Sequence, residues 1–143
     1  MRVITLNANG IRSAAAKGAF AWLREQDADA LLAAIRKVAG DKPIRFIVNT
    51  HAHADHTGGN LKVAQAGRQL IAGNFAGQAG DRNAQIFAHE NTQNAMVQAN
   101  PPVPSTSMPT DVFFGMEKDI YFNGEAVMMK HTPNAHTDGD MIV

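Results

Sequence analysis

The sequence predicts an α/β fold. Three features carry that expectation: an alanine- and leucine-rich stretch at residues 28–38, an apolar β-branched run at 44–48 just after it, and an Asn123-Gly124 pair between two apolar runs. The first has helical composition and the second suits a buried strand. The third supplies the positive φ angles of a tight hairpin turn.

Taken in order, residues 2–6 read as a short strand ended by the polar turn Asn7-Ala-Asn-Gly10. Residues 13–24 read as a helix with Phe20 and Leu23 on one side, and 28–38 as a second helix stopped by Gly40. Pro43 precedes the strand Ile44-Arg-Phe-Ile-Val48. Asn60 is placed to cap a helix from Leu61 that Gly67 interrupts. Residues 70–80 are glycine-rich and fit no single element. A short strand is expected at 85–88 and a helix at 92–98. Residues 100–110 hold four of the six prolines and form a surface loop. The hairpin pairs Ile120-Tyr-Phe122 with 126–130, and a last strand opens at Met141-Ile-Val143.

The chain of 143 residues carries 13 basic and 13 acidic side chains. A neutral balance argues against a dedicated nucleic-acid partner. No cysteine is present, which excludes disulfides and cysteine-ligated zinc. No apolar run approaches the ~18 residues of a membrane span, and no apolar signal region opens the chain. As written, the protein is expected in the cytoplasm with no membrane partner.

Chemistry concentrates in His51-Ala-His-Ala-Asp-His56. In extended backbone, residues two apart share a face, so His51 and His53 can share one metal ion. Asp55 and His56 can reach a neighbouring position. Imidazole and carboxylate together suit zinc, with iron or manganese as alternatives. The cluster follows an apolar strand and precedes Gly58-Gly59, at a strand end where α/β folds place their chemistry.

The string Asn49-Thr-His-Ala-His-Ala-Asp-His-Thr-Gly-Gly-Asn60 resembles the metallo-β-lactamase superfamily. His89-Glu-Asn, Tyr121-Phe-Asn-Gly-Glu125 and Pro133-Asn-Ala-His-Thr-Asp-Gly-Asp140 extend the likeness over residues 31–143. The resemblance implies a partial αββα sandwich, lacking the family's first hairpin and its C-terminal half. It also implies that His51, His53 and His136 bind one Zn2+ and that Asp55 and His56 contribute to a second, weaker site. His131 is the rival to His136 as third ligand. Pro133 and the Asn134-Ala135 pair can turn the chain after His131 so that His136 faces the cluster. The implied reaction is hydrolysis of a small-molecule substrate of unknown type by a metal-bound hydroxide, with Asp55 as the catalytic residue that orients the water. Thr57 and Asp138 are expected to support the ligands, and His89 to be structural.

Residues 1–30 resemble a different family. Met1-Arg-Val-Ile-Thr-Leu-Asn-Ala-Asn-Gly-Ile-Arg12 with Ala21-Trp-Leu-Arg-Glu-Gln-Asp-Ala-Asp29 is similar to the start of exonuclease III-type apurinic endonucleases. That likeness implies a fusion joint near residues 27–31. The glutamate that family uses for its metal has no counterpart, since no glutamate lies between Glu25 and Glu90. The final strand stops as it begins, which reads as truncation and implies an uncovered sheet face and self-association. Three functions therefore compete: a metal-dependent hydrolase, an inactive zinc-binding fragment, and a nucleic-acid hydrolase acting through residues 1–30.

Overall fold

The computed structural model describes residues 28–68 and 83–143. The strand expected at 2–6, the helix at 13–24 and the stretch 70–80 lie outside them. Among the described residues, helices and strands form two sheets of three strands each, with helices packed on one of them.

Helix α1, Ala28–Ala39, begins with Asp29 in its first turn and ends with Arg36 and Lys37 in its last. Both placements complement the helix dipole. Gly40 terminates it at φ 61, with its N–H on the carbonyl of Arg36 at 2.8 Å. Strand β1, Phe46–Val48, follows. It is half-buried, not buried as its composition suggested; among the described residues it lies at the edge of its sheet, with a neighbouring strand on one side.

Next come α2, Ala54–Thr57, and α3, Asn60–Ala66, which ends at Gly67 as expected. The expected cap fails: Gly59 occupies the cap position, and Asn60 is inside the helix with its amide turned elsewhere. Strand β2, Gln85–His89, leads into α4, Glu90–Gln98. The proline-rich loop includes a 3-10 turn at Ser105–Ser107 before β3, Asp111–Phe113, a strand too short to show in the sequence. Strands β1, β2 and β3 run parallel in that order, so their C-terminal ends share one edge.

The second sheet is antiparallel. Strands β4, Glu117–Phe122, and β5, Glu125–His131, form the expected hairpin. Asn123 at φ 56 and Gly124 at φ 80 supply its turn. Strand β6, Met141–Ile142, pairs with the far end of β5.

Alternation along each strand decides the layers. Phe87 and Phe113 of the first sheet meet Met129 and Met141 of the second, with Phe46, Val48 and Ile120 packed around them. Phe46 touches Phe87 and Phe122 edge to face, at centroid distances of 5.5 and 5.1 Å. Lys118, on the inward face of β4, lies over the Phe87 ring and pairs with Asp111 at 3.4 Å. Behind the first sheet, buried Ile86 and Ala88 accompany Val63 and Ala64 of α3 and Met96 of α4. The described residues thus make helix, sheet and sheet layers, a partial αββα arrangement. The outer face of the second sheet leaves Tyr121, Met128 and Ile142 exposed. No described helix is long and apolar enough to cross a membrane.

Candidate metal centre

The histidine cluster begins three residues beyond the end of β1, at the edge where the parallel strands terminate. Asn49 and Thr50 carry the chain out of the sheet. The Asn49 N–H still donates to Phe87 O at 2.9 Å. Its buried side chain forms a reciprocal amide pair with Asn60: Asn49 Nδ2 donates at 2.9 Å and Asn60 Nδ2 returns a bond at 2.8 Å. Asn60 Nδ2 also reaches Ser107 O at 2.9 Å. Buried amides need such partners, and these tie the strand end, α3 and the proline-rich loop together beneath the site.

His51 is buried, while His53 and His136 are exposed. His53 is the residue before α2, with extended φ and ψ of −64° and 145°. His136 arrives on the loop from β5 to β6, where Asn134 adopts φ 59 and turns the chain as the sequence suggested. One nitrogen from each of His51, His53 and His136 lies within 4.8 Å of the others. His53 Nδ1 and His136 Nε2 stand 3.2 Å apart. Two nitrogens bound to one tetrahedral ion at ~2.0–2.1 Å would be ~3.3 Å apart, which the His53–His136 pair matches, while the three-nitrogen set as a whole spans up to 4.8 Å.

Second contacts orient the buried His51. Thr50 Oγ1 lies 3.2 Å from His51 Nδ1, which leaves Nε2 for a metal. Burial, followed by the neighbouring His56 and His53, pushes the His51 imidazole down to about 4, against an opposing pull from Asp140. His51 is therefore neutral at pH 7, the form that binds metal.

Asp55 and His56 fall outside the three-nitrogen group; His56 packs on its His51, and Asp55 stands beside His56. The His56 ring packs 4.0 Å from that of His51, and Asp55 Oδ2 is 3.6 Å from His56 Nε2. Both lie on α2, so their side chains leave from successive positions of one helical turn.

The side chains of Thr57 and Asp138, expected to support the histidine rings, bond elsewhere. Thr57 Oγ1 donates to the backbone oxygen of His53 at 3.2 Å, because α2 directs it back along its own turn. Asp138 Oδ2 accepts from Asn91 Nδ2 at 2.9 Å. Thr50 and Asp140 are the residues the sequence left unmarked. An ordinary threonine beside a histidine and a lone aspartate at a strand start carry no pattern that singles them out.

A second histidine pair lies between the sheets. His89 and His131 stack at 3.6 Å with rings 15° apart, and both are buried. His89 Nδ1 accepts the Asn91 N–H at 3.2 Å, capping α4, so its Nε2 carries the proton donated to Gly115 O at 3.1 Å. His131 Nε2 donates to Asp138 O at 2.7 Å. His131 is thus held away from the metal group, and His89 is structural.

Burial, then the adjacent His131, lowers the His89 pKa from its ordinary value. In the pH range just below about 6.5, the unfolded chain takes up a proton at this position that the folded chain resists. Stability from this group is present above about pH 6.5 and is lost as pH falls towards the lowered folded value. Denaturant unfolding of metal-free protein should show a shallower loss between pH 7 and 5 for His89→Asn than for the unaltered chain. Identical slopes would count against a neutral His89.

Three imidazoles converge on one point from a strand end, a helix start and a distant loop. A family model described as the metallo-beta-lactamase superfamily matches residues 21–142. The chain belongs to the metallo-beta-lactamase superfamily. A comparison with curated proteins returns no match. The superfamily match starts at residue 21, whereas the sequence alone placed the start of the likeness at residue 31. Membership and the three-histidine group together place the chain in a family of metal-dependent hydrolases.

Proposed function

We propose that this superfamily member is a zinc-dependent hydrolase whose metal is held by His51, His53 and His136. The observation that carries the proposal is the convergence of those three imidazoles within 4.8 Å of one another. Three nitrogen donors are one fewer than closes a structural zinc site, so His51, His53 and His136 would suit a catalytic zinc. When bound, zinc supplies Lewis acidity and lowers the pKa of a coordinated water to about 7.

The chain's own residues do the rest. Thr50 fixes the His51 ring, and burial keeps that ring neutral. Asp55 sits at the exposed start of α2, where its carboxylate can accept a proton from water or orient it. His56, packed on His51, holds the neighbouring position and would join Asp55 at a second, weaker metal site. The substrate is a small molecule with a carbonyl or phosphoryl centre open to attack by water.

Metal analysis after dialysis should find about one zinc per chain. A panel of lactam, thioester, lactone and phosphoester substrates should then reveal zinc-dependent turnover that Asp55→Ala reduces. Failure to retain zinc would sink the metal centre. Tight zinc with no turnover on any class would favour the inactive metal-binding alternative.

A further inference from the structure

Asp140 has no part in the proposal above, yet the loop between β5 and β6 is built on it. Its Oδ2 accepts the Thr137 N–H at 2.7 Å, and its Oδ1 accepts the Thr137 hydroxyl at 2.9 Å. The backbone of His136 contributes a further bond to the same carboxylate. Gly139 N–H donates to Thr137 Oγ1 at 3.3 Å, so the turn closes around that hydroxyl.

The other end of the same residue closes the loop at its base. Asp140 O accepts from Thr132 N at 2.8 Å and from Thr132 Oγ1 at 3.1 Å. The next residue, Met141, donates its N–H to Thr50 O at 3.0 Å, one residue before His51. Helix α4 braces the loop from behind: Thr92 Oγ1 donates to Gly139 O at 2.9 Å. A Cβ on Gly139 would come within 2.7 Å of Thr92 N, so only glycine allows that approach. His136 sits at the exposed crest, adjacent to Thr137, and its ring goes where Thr137 is held.

We infer that Asp140 is a positioning residue, whose carboxylate holds the 136–139 turn in the shape that brings His136 to His51 and His53. The inference rests on His136 being a metal ligand. Burial alone would raise the Asp140 carboxyl, but the bonds from Thr137 and His136 outweigh it and hold the group below the usual carboxylate range. Asp140 is then an ionised acceptor with both oxygens in use. An amide can serve the same geometry, because the Thr137 hydroxyl can accept as well as donate. Asparagine therefore preserves the turn while removing the charge.

The test is zinc affinity by competition with a chromophoric chelator, measured on chains shown by circular dichroism to be folded. Asp140→Ala should weaken zinc by about 10- to 100-fold, the usual cost of losing a partner behind a ligand. Asp140→Asn should stay within a few-fold of the unaltered chain. Thr137→Val, which removes only the hydroxyl, should show a smaller loss in the same direction and serves if Asp140→Ala does not fold. In a His136→Ala background, Asp140→Ala should add nothing, because the two act through one ligand.

Unchanged affinity in folded Asp140→Ala, or in Thr137→Val should that variant have to stand in, would overturn the inference. So would an equal loss in Asp140→Asn, which would assign the effect to charge, or an undiminished loss in the His136→Ala background. If His136→Ala alone binds zinc like the unaltered chain, the ligand assignment fails first and this inference falls with it.

Discussion

Replacing His136 by alanine is expected to weaken zinc binding more than about 100-fold, while His131→Ala leaves affinity within about tenfold. The lower bound follows because losing a mere outer partner of a ligand already costs 10–100-fold. His136 is exposed and on a loop, so its removal should not unfold the chain. Its Nε2 lies 3.2 Å from His53 Nδ1, and without it two imidazoles remain in the group. His131 has the opposite profile: it is buried, stacked on His89 and bonded to Asp138 O. His131→Ala should therefore lower stability by about 1–3 kcal/mol, through loss of packing and of a buried hydrogen-bond partner. Zinc titration and denaturant unfolding on both variants separate the two roles. Comparable zinc loss in both would leave His136 without special standing.

Phe87→Ala is expected to cost about 3–5 kcal/mol, the range for removing a buried aromatic side chain. Phe87 is 3% exposed and belongs to the cluster that joins the two sheets, with Phe113, Met129 and Met141. Its ring also meets Phe46 edge to face and lies beneath the Lys118 ammonium. A loss of this size is a large share of the 5–15 kcal/mol that holds a typical domain together. Urea unfolding gives the number directly. Tyr121→Ala, on the exposed outer face of β4, is the control and should fall within ±0.5 kcal/mol. Similar losses at Phe87 and Tyr121 would mean that the core does not lie between the sheets.

Local signals were legible wherever chemistry acts over a few residues. Gly40 stops its helix at a positive φ that favours glycine, and Asn123-Gly124 makes its hairpin whatever surrounds it, whereas Gly67 ends α3 in extended backbone where a Cβ would collide with Ile44 O. The misreadings share one cause. Asn60 has the composition of a cap, but its partner Asn49 is eleven residues away and meets it only in the folded chain. The run at 44–48 looks buried, but burial depends on which strand lies beside it. Thr57 and Asp138 lie close in sequence to His56 and His136, yet their side chains follow helix α2 and Asn91 instead.

By itself the sequence determined the α/β class, the hairpin, and a cluster of residue types suited to a metal in His51-Ala-His-Ala-Asp-His56, because residue type and spacing suffice for those. Its order could propose His136 over His131 but could not decide between them. Tertiary structure decided which of them joins His51 and His53, by stacking His131 on His89 between the sheets and carrying His136 across to His53 on the loop tied down by Asp140. The physical reason is that ligand geometry is a relation among three chain segments far apart in sequence. Such relations are set by how the sheets pack and by which buried polar groups find partners, and neither is written in any local stretch of residues.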